Sequence, residues 1–200
     1  MSEHYFSQKP QSKSSPKTWS YRLREKEYTF TSDYGVFSKN EIDYGSRLLI
    51  TKLTEPKVSG DVLDLGCGYG PIGIAIANAY PDRRVVLADV NERALQLAEQ
   101  NAMQNWVKNV QCISSDRFSN LTEYTFAAIV TNPPIRAGKK VVHAMIEESK
   151  SALKKNGELW VVIQKKQGAP SAKEKLMDVF GNAEVVARDK GYFLLKAINV

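Results

Sequence analysis

The chain has 200 residues, of which 42% are hydrophobic and 25% are charged, and its formal net charge is +6. This composition is typical of one globular domain, and no stretch approaches the roughly 18 consecutive apolar residues of a membrane span. The first residues lack a signal-peptide pattern, so we expect a soluble cytoplasmic domain without membrane contact. Two cysteines and two histidines are too few, at their spacing, for a disulfide framework or a zinc site, so no metal is expected.

Basic residues are concentrated at both ends of the chain. Residues 1–30 contain six basic and three acidic residues, and residues 136–200 contain thirteen basic and seven acidic ones. The central segment 61–135 has five basic and eight acidic residues. This distribution favours a protein that brings a polyanion to a separately bound ligand, although lysines that only solvate a surface would give the same counts.

The N-terminal part has two sections of different character. Residues 7–18 contain no apolar side chain, and we expect residues 1–18 to form a flexible basic tail. Residues 19–60 form an N-terminal extension, with short aromatic-rich strands and then a helix from about Ile42 to Lys52. It precedes a core of residues 61–200, so that residues 19–200 make a single domain.

From residue 61 onward, β-rich runs alternate with helical patterns. The runs are Val62–Leu65, Val85–Ala88, Val110–Ile113, Phe126–Thr131, Leu159–Ile163, Glu184–Ala187 and Tyr192–Ala197. Helical patterns surround Ala94–Ala102, extend from about Lys139 to Lys155 with Asn156-Gly157 as a stop, and begin at a capping box, Ser171 to Glu174. This alternation predicts a Rossmann-like α/β fold: a mostly parallel seven-stranded sheet with an antiparallel C-terminal hairpin and helices on both faces.

A glycine-rich turn follows the first of these strands, in the run VLDLGCGYGPIG. Gly66, Gly68 and Gly70 allow the backbone to approach a ligand closely and to point amides at it, at the start of a helix. The run also matches the fingerprint of dinucleotide-binding domains. Taken alone, it indicates a cofactor that contains a nucleoside, and it does not say which one.

Three acids, Asp64, Asp89 and Asp116, stand at the ends of three consecutive strands. In an open α/β sheet these ends form one crevice. A carboxylate at position 64 suits an ammonium group or a water network and would repel a pyrophosphate. By the same reasoning we expect Asp89 at ribose hydroxyls and Asp116 near an adenine amine. Each of these two alone would more simply be a turn or helix-cap residue, but three acids in register with the glycine loop favour the cofactor.

The fourth strand is followed by Thr131-Asn132-Pro133-Pro134-Ile135. Two prolines make this turn rigid and direct its carbonyls outward. The side-chain oxygen of Asn132 and the carbonyl of Pro133 would bind the hydrogens of an NH₂ group. They would thereby hold its lone pair toward an electrophile and stabilise developing positive charge. A turn without chemical function is the alternative reading of these residues.

The runs VLDLGCGYG, LADVN and SSD resemble the successive cofactor motifs of class I S-adenosylmethionine-dependent methyltransferases. The resemblance implies S-adenosyl-L-methionine as cofactor, with a glycine loop around its methionine end, a second acid at its ribose and a third at its adenine. The residues that carry these roles here are Asp64, Gly66, Gly68, Gly70, Asp89 and Asp116.

Asn132, Pro133 and Pro134 resemble the NPP(F/Y) signature of methyltransferases that act on exocyclic or amide NH₂ groups, and the resemblance makes them the catalytic residues. Ile135 departs from that signature, because an aromatic ring usually stands there and stacks on the base. An aromatic residue of the N-terminal extension, Phe37 or Tyr34, is a candidate to replace it.

Gly35-Val-Phe-Ser38 and Asp43-Tyr-Gly-Ser-Arg-Leu-Leu49 look like the segment before the cofactor loop in the ribosomal RNA small subunit methyltransferase C family. This resemblance covers roughly residues 19–198. It implies methylation of an exocyclic amine of guanine, with ribosomal RNA or the small ribosomal subunit as partner. Longer members carry an additional, degenerate domain where this sequence has only residues 1–60.

Basic residues after the fourth and fifth strands are candidate substrate contacts. We expect them at the mouth of the acceptor pocket, where they would contact phosphates while the pocket reads an extruded base, although solvated lysines are an equally simple explanation. They are Arg136, Lys139, Lys140, Lys165 and Lys166.

Two other functions fit part of this pattern. Methylation of a protein glutamine amide shares the Asn-Pro-Pro motif, but Tyr normally follows there and the basic flanks would have no role. A non-catalytic RNA-binding or ribosome-assembly module would keep the fold but has no need of intact motifs. An NAD dehydrogenase is disfavoured because no catalytic His or Lys has an obvious place in the crevice. The sequence leaves the oligomeric state open.

Overall fold

The structure is a computed structural model, and it describes residue 8, residues 13–38 and residues 41–200. Most of the predicted tail, 1–18, lies outside these residues. Within the described part of the chain, no helix has both the length and the apolar character needed to cross a membrane.

A seven-stranded sheet forms the centre of the fold and a two-stranded hairpin precedes it. In chain order the elements are β1 (Lys17–Leu23), β2 (Lys26–Ser32), α1 (Tyr44–Lys52), β3 (Asp61–Leu65), α2 (Pro71–Ala79), β4 (Val85–Asp89), α3 (Glu92–Gln104), β5 (Val110–Ser114), β6 (Phe126–Thr131), α4 (Lys139–Ala152), β7 (Leu153–Gln164), α5 (Ala169–Phe180), β8 (Glu184–Asp189) and β9 (Tyr192–Ile198). Single 3₁₀ turns lie at Ile135–Ala137 and Lys165–Gln167.

The strand order in the large sheet is β5-β4-β3-β6-β7-β9-β8. The pairs from β5 to β7 are parallel, and β9 pairs antiparallel with both β7 and β8. The predicted Rossmann-like α/β fold, with its mostly parallel sheet and antiparallel C-terminal hairpin, is confirmed.

Each central strand is buried on both faces because helices cover both sides of the sheet. Along β3, Val62 packs with the core that α1, α2 and α3 contribute, while Leu63 packs with the core that α4 and α5 contribute. All six residues of β6 are buried. This burial explains why the central strands are continuous apolar runs without polar alternation.

The end of α4 and the start of α5 differ from prediction. Helix α4 ends at Ala152 because Leu153 is extended and pairs with β6. The predicted stop, Asn156-Gly157, therefore lies within β7. The last carbonyls of α4 lie near the side-chain amide of Asn199, which donates to Leu153 O at 3.0 Å. Helix α5 begins two residues before the predicted capping box, and the hydroxyl of Ser171 contacts His143 Nε2 at 3.0 Å.

The hairpin β1–β2 is attached to the core by two asparagines of α3. Asn101 accepts from the amide of Thr31 at 2.7 Å and donates to its carbonyl at 2.9 Å. Asn105 binds the amide and carbonyl of Thr29 in the same way, at 2.9 and 2.7 Å. The two side chains therefore complete the free edge of β2 as a neighbouring strand would. A second donor of Asn101 reaches the carbonyl of Tyr69, in the glycine loop, at 2.9 Å.

Residues 14 and 15 of the predicted tail are attached to the end of this hairpin. Ser14 Oγ and the amide of Ser15 each donate to the carboxylate of Asp33 at 2.7 Å, and β1 begins at Lys17. Asp33 thus supplies hydrogen-bond acceptors for the segment before β1, which composition alone does not reveal.

Replacing Asn101 with Ala is expected to lower the free energy of unfolding by about 2–3 kcal/mol, because buried backbone groups of Thr31 and Tyr69 lose their partners. Urea denaturation measures the change. The matched control is Gln100→Ala, at the exposed neighbouring position of α3, which should change stability by less than about 0.5 kcal/mol. Equal stability of the two variants would contradict this account of the hairpin.

Candidate active site

One cavity of about 930 Å³ lies at the carboxyl ends of the central strands. Its wall includes the glycine loop after β3, the end of β4, the segment after β5 and the Asn-Pro-Pro turn after β6. Parts of the N-terminal extension and the facing ends of β7 and β9 complete it. The predicted cofactor segment and the predicted catalytic segment therefore share one space, as the parallel-sheet argument requires.

The glycine loop is held on β4 and turns its backbone to the cavity. The amides of Gly66 and Cys67 both donate to the carbonyl of Ala88, at 2.8 and 3.0 Å. Gly66 and Gly68 have left-handed backbones, with φ of +75° and +57°, and a side chain added at either would meet no atom within 4 Å. These two glycines therefore leave room for a ligand against the loop.

Gly70 differs from the other two glycines in its surroundings. It precedes α2 with φ of +93°, and an added Cβ would lie 2.9 Å from Ile74 and 3.2 Å from Ala98. The residue is needed for the packing of α2 against α3 beneath the loop, and it is not part of the cavity wall. Sequence spacing placed it with the ligand-facing glycines because both kinds of glycine satisfy the same pattern.

Asp64 lies below the loop, and it is not among the residues that line the cavity. Its side chain is fully buried, and Oδ2 accepts from the amide of Gly73 at 2.8 Å. Oδ1 has no hydrogen-bond partner among the described residues. Burial raises the pKa of this carboxyl to about 7, and the Gly73 amide acts in the opposite direction. The carboxyl joins β3 to α2 and supports the loop from behind.

Asp89 and Asp116 line the cavity as predicted, in different surroundings. Asp89 accepts from the amide of Gly68 at 2.8 Å and from the amide of Asn91 at 2.9 Å. Burial raises the pKa of Asp89, and these amides oppose the rise. Asp116 is exposed and forms an ion pair with Arg117 at 3.7 Å. One acid is thus fixed at the loop, while the other stands at the outer wall.

Hydrogen bonds of the Thr131 and Asn132 side chains hold the start of the Asn-Pro-Pro turn in place. Thr131 Oγ1 donates to the carbonyl of Leu65 at 2.8 Å, which joins the ends of β6 and β3. Asn132 Nδ2 donates to a carboxylate oxygen of Asp43 and, at 3.1 Å, to Ser46 Oγ. Because the amide nitrogen of Asn132 is bound at the start of α1, its side-chain oxygen is directed away from these two partners, and the residue lines the cavity. Pro133 lies beside it on that wall.

Several wall residues were not assigned a role from the sequence. Asp43 and Ser46 lie at the start of α1, Gln164 and Tyr192 lie at the facing ends of β7 and β9, and Gln167 lies in the 3₁₀ turn after β7. The Asp-x-x-Ser pattern at residues 43–46 is an N-cap signal that could have drawn attention to the first pair. Nothing in the local sequence connects the others to Asn132.

Apolar side chains near the acceptor turn come from two segments. Ile135 and Phe37 both line the cavity, and Phe37 is 42% exposed. Tyr34, the other aromatic candidate, is exposed to the same degree but lies outside the wall. Phe37 is therefore the aromatic residue of the extension that a substrate in the cavity can reach.

The candidate basic residues belong to segments that border the cavity. Arg136 lines it, Lys139 and Lys140 are exposed in the first turn of α4, and Lys165 and Lys166 are exposed beside Gln164. In the segments that the structure describes, none of the five forms an ion pair. Two lysines in the first helical turn are unfavourable for the helix dipole, so these positions suit an external anion.

Over the described segments, no group of three or more His, Cys, Asp or Glu side chains is placed to hold a metal ion.

Replacing Asp64 with Asn is expected to remove a pH-dependent part of the stability. The pKa of Asp64 is raised from 3.8 to about 7 in the folded protein, so the folded state binds more protons than the unfolded state between these values. Stability from this group therefore falls as pH rises through that window. As pH rises from 4 to 7, the free energy of unfolding of the variant should therefore increase relative to that of the wild type. Denaturant titration across this range measures the difference. A difference that stays constant with pH would contradict the raised pKa.

Comparison with known proteins agrees with the fold. Residues 27–196 match the model of the methyltransferase small domain family. The chain is 59% identical to the uncharacterized protein YbxB of Bacillus subtilis, over the full length of both. It is 31% identical to the ribosomal RNA large subunit methyltransferase G of Streptomyces avermitilis, over 92% of this chain and 50% of that protein.

Among solved structures, a 16S rRNA N2 G1207 methyltransferase of T. thermophilus, in complex with AdoMet and guanosine, is similar with a TM-score of 0.84. It is 28% identical, and the match covers 96% of this chain and 52% of that one. The chain thus spans about half the length of these two ribosomal RNA methyltransferases. The predicted resemblance to class I methyltransferases is confirmed, and the chain belongs to the methyltransferase small domain family.

Proposed function

We propose that this protein transfers a methyl group from S-adenosyl-L-methionine to the exocyclic amine of a guanine in small-subunit ribosomal RNA, in the cytoplasm. The observation that carries the proposal is that the glycine loop and the Asn-Pro-Pro turn line one continuous cavity. Methyl transfer by direct attack requires the donor and the acceptor to meet in one enclosed space. The T. thermophilus relative was solved with AdoMet and guanosine together, which is the same pairing of ligands.

The residues of the loop fit this cofactor. Open space above Gly66 and Gly68 leaves a place for the methionine end, and Asp64, with a carboxylate oxygen that lacks a partner among the described residues, lies beneath it. Asp89 and Asp116 line the same cavity, and we assign Asp89 to the ribose hydroxyls and Asp116 to the adenine. When bound, S-adenosyl-L-methionine supplies an electrophilic methyl group.

The acceptor amine would be held by two oxygens. Asn132 Oδ1 and the carbonyl of Pro133 each accept one N–H, so the nitrogen lone pair is left for the methyl group. These oxygens also stabilise the positive charge that develops on nitrogen, and they are in place before the reaction because the turn is rigid. The proton leaves after transfer, so the mechanism needs no strong base.

The basic residues give the RNA its orientation. Arg136, Lys139 and Lys140 on one side, with Lys165 and Lys166 on another, would contact phosphates while the base enters the cavity. Ile135 and Phe37 provide apolar contacts for the base in place of the usual aromatic ring. A glutamine amide presents the same NH₂ group to Asn132 but gives these five cations no partner, so we place it second.

The test is transfer of a labelled methyl group to ribosomal subunits from cells that lack the protein. Small and large subunits are separated before the reaction, and the products are digested to nucleosides and amino acids. Label in amino-methylated guanosine from the small subunit is expected. Label only in the large subunit would show that the large subunit, and not the small one, is the partner. Label in glutamine would show that the substrate is a protein amide. No label in any product would overturn the proposal.

Asn132→Ala is expected to reduce kcat by a factor on the order of 10²–10³, the usual cost of losing one preorganised group that stabilises transition-state charge. The dissociation constant of S-adenosyl-L-methionine should change less than about twofold, because Asn132 is assigned to the acceptor. Single-turnover methyl transfer and calorimetry measure the two quantities. Full activity of the variant would contradict the role of the turn.

Asp89→Ala provides the complementary comparison. It should weaken cofactor binding by a factor on the order of 10 or more, since it removes a charged acceptor and releases the Gly68 amide. Its effect on kcat at saturating cofactor should be smaller than that of Asn132→Ala. An unchanged dissociation constant would show that Asp89 does not bind the cofactor.

A further inference from the structure

We infer that Asp43 is a positioning residue that fixes the direction of the hydrogen bonds around the acceptor turn, so that oxygen atoms face the substrate amine. The inference rests on the proposed function and deepens it, because it names the feature that selects guanine.

Five donors converge on the Asp43 carboxylate from three parts of the fold. Oδ1 accepts from the amide of Gly45 and from the hydroxyl of Tyr192, both at 3.1 Å. Oδ2 accepts from the amide and the hydroxyl of Ser46, both at 2.9 Å, and from Asn132 Nδ2. The carboxylate therefore caps α1 and also contacts the end of β6 and the start of β9.

An ionised carboxylate only accepts hydrogen bonds, so it determines which way each neighbour points. Ser46 gives its single hydroxyl proton to Asp43, and its oxygen is then free to accept from Asn132 Nδ2 at 3.1 Å. If the Asn132 amide were reversed, its oxygen would face two oxygens that have no proton to give. One orientation is thus strongly preferred, and it leaves Oδ1 of Asn132 on the cavity side.

The same carboxylate orients a second amide. The Tyr192 hydroxyl donates to Asp43, so its oxygen can accept a hydrogen bond, and Gln164 is the cross-strand partner of Tyr192 in β7. Burial and the charge of Asp43 raise the pKa of Tyr192, whereas the Gln164 side chain lowers it, as a donor to the hydroxyl oxygen does. An amide whose nitrogen donates to Tyr192 keeps its own oxygen available, and Gln164 lines the cavity.

The orientation of these two amides distinguishes among the bases that carry an exocyclic amine. Guanine has an N–H donor next to its exocyclic amine, whereas adenine and cytosine have an acceptor nitrogen next to theirs. A neighbouring acceptor such as the Gln164 oxygen matches the guanine edge and would repel the other two. Mismatched buried polar groups are the most effective means of rejecting a substrate of similar shape. Gln164, oriented through Tyr192 by Asp43, is therefore the specificity-determining contact.

Two substitutions of Asp43 distinguish its role as the N-cap of α1 from its contact with Asn132. Asp43→Ser and Asp43→Asn both retain a good N-cap, but serine is too short to reach Asn132, whereas asparagine keeps one oxygen that can accept from it. Methyl transfer to small subunits should lose about tenfold or more in kcat for Asp43→Ser, with cofactor affinity unchanged within about twofold. Asp43→Asn should recover most of that loss.

Two neighbouring tyrosines test whether Asp43 also orients Gln164 through Tyr192. Tyr192 and Tyr44 lie with ring centroids 5.7 Å apart, but the Tyr44 hydroxyl bonds to Asp189 and not to Asp43. Tyr192→Phe should reduce the preference for guanine over adenine in short RNA substrates by about tenfold, because the Gln164 amide is then free to turn. Tyr44→Phe should behave as the wild type.

A spectroscopic measurement is independent of turnover. The Asn132 side-chain NH₂ protons should exchange slowly with solvent in the wild type and rapidly in Asp43→Ser. Wild-type kcat in Asp43→Ser, or unchanged exchange of these protons, would overturn the inference while the proposed function stands. If Asp43→Ser fails to fold, Asp43→Asn and the two tyrosine variants decide by the same criteria. Absence of methyl transfer by the wild type itself would overturn the proposed function, and this inference with it.

Discussion

The hydrogen bonds that meet at Asp43 hold together the half of the cavity where the acceptor is expected. They join the start of α1, the turn after β6 and the start of β9, which are distant in sequence. The N-terminal extension is thus part of the site and not an appendage, since Asn132 has its amide nitrogen bound by residues of that extension. The preorganisation that the proposed chemistry requires depends on this one carboxylate, because a turn built from two prolines is rigid but cannot by itself orient the side chain that precedes them.

In the half of the cavity where the cofactor is expected, two other carboxylates hold the backbone in a similar way. Asp89 takes the amide of Gly68 and Asp64 takes the amide of Gly73, so the glycine loop is held from the side by β4 and from below by β3. The two acids differ in exposure, and this difference separates their roles. The accessible one is suited to the cofactor, while the fully buried one keeps the loop in shape and titrates near neutrality.

Much of the fold and part of the site could be predicted because they follow from local patterns. Apolar runs separated by helical periodicity define a parallel sheet, and the ends of parallel strands meet, so Asp89, Asp116 and Asn132 had to lie near one crevice. The features that the local patterns did not reveal depend on contacts between distant segments. Gly70 is needed for the packing of α2 against α3, and α4 ends early because Leu153 pairs with β6. The role of Asp43 was equally hidden, since its partners lie 89 and 149 residues away.

The central claim is that this cavity holds an exocyclic amine between the side-chain oxygen of Asn132 and the carbonyl of Pro133. A crystal structure of the protein with S-adenosylhomocysteine and guanosine tests it most directly. The account predicts the guanine amine nitrogen within hydrogen-bond distance, about 3 Å, of both oxygens, with Asn132 still bound to Asp43. Guanosine bound elsewhere, or bound in the cavity with its amine directed away from the Asn-Pro-Pro turn, would contradict the account.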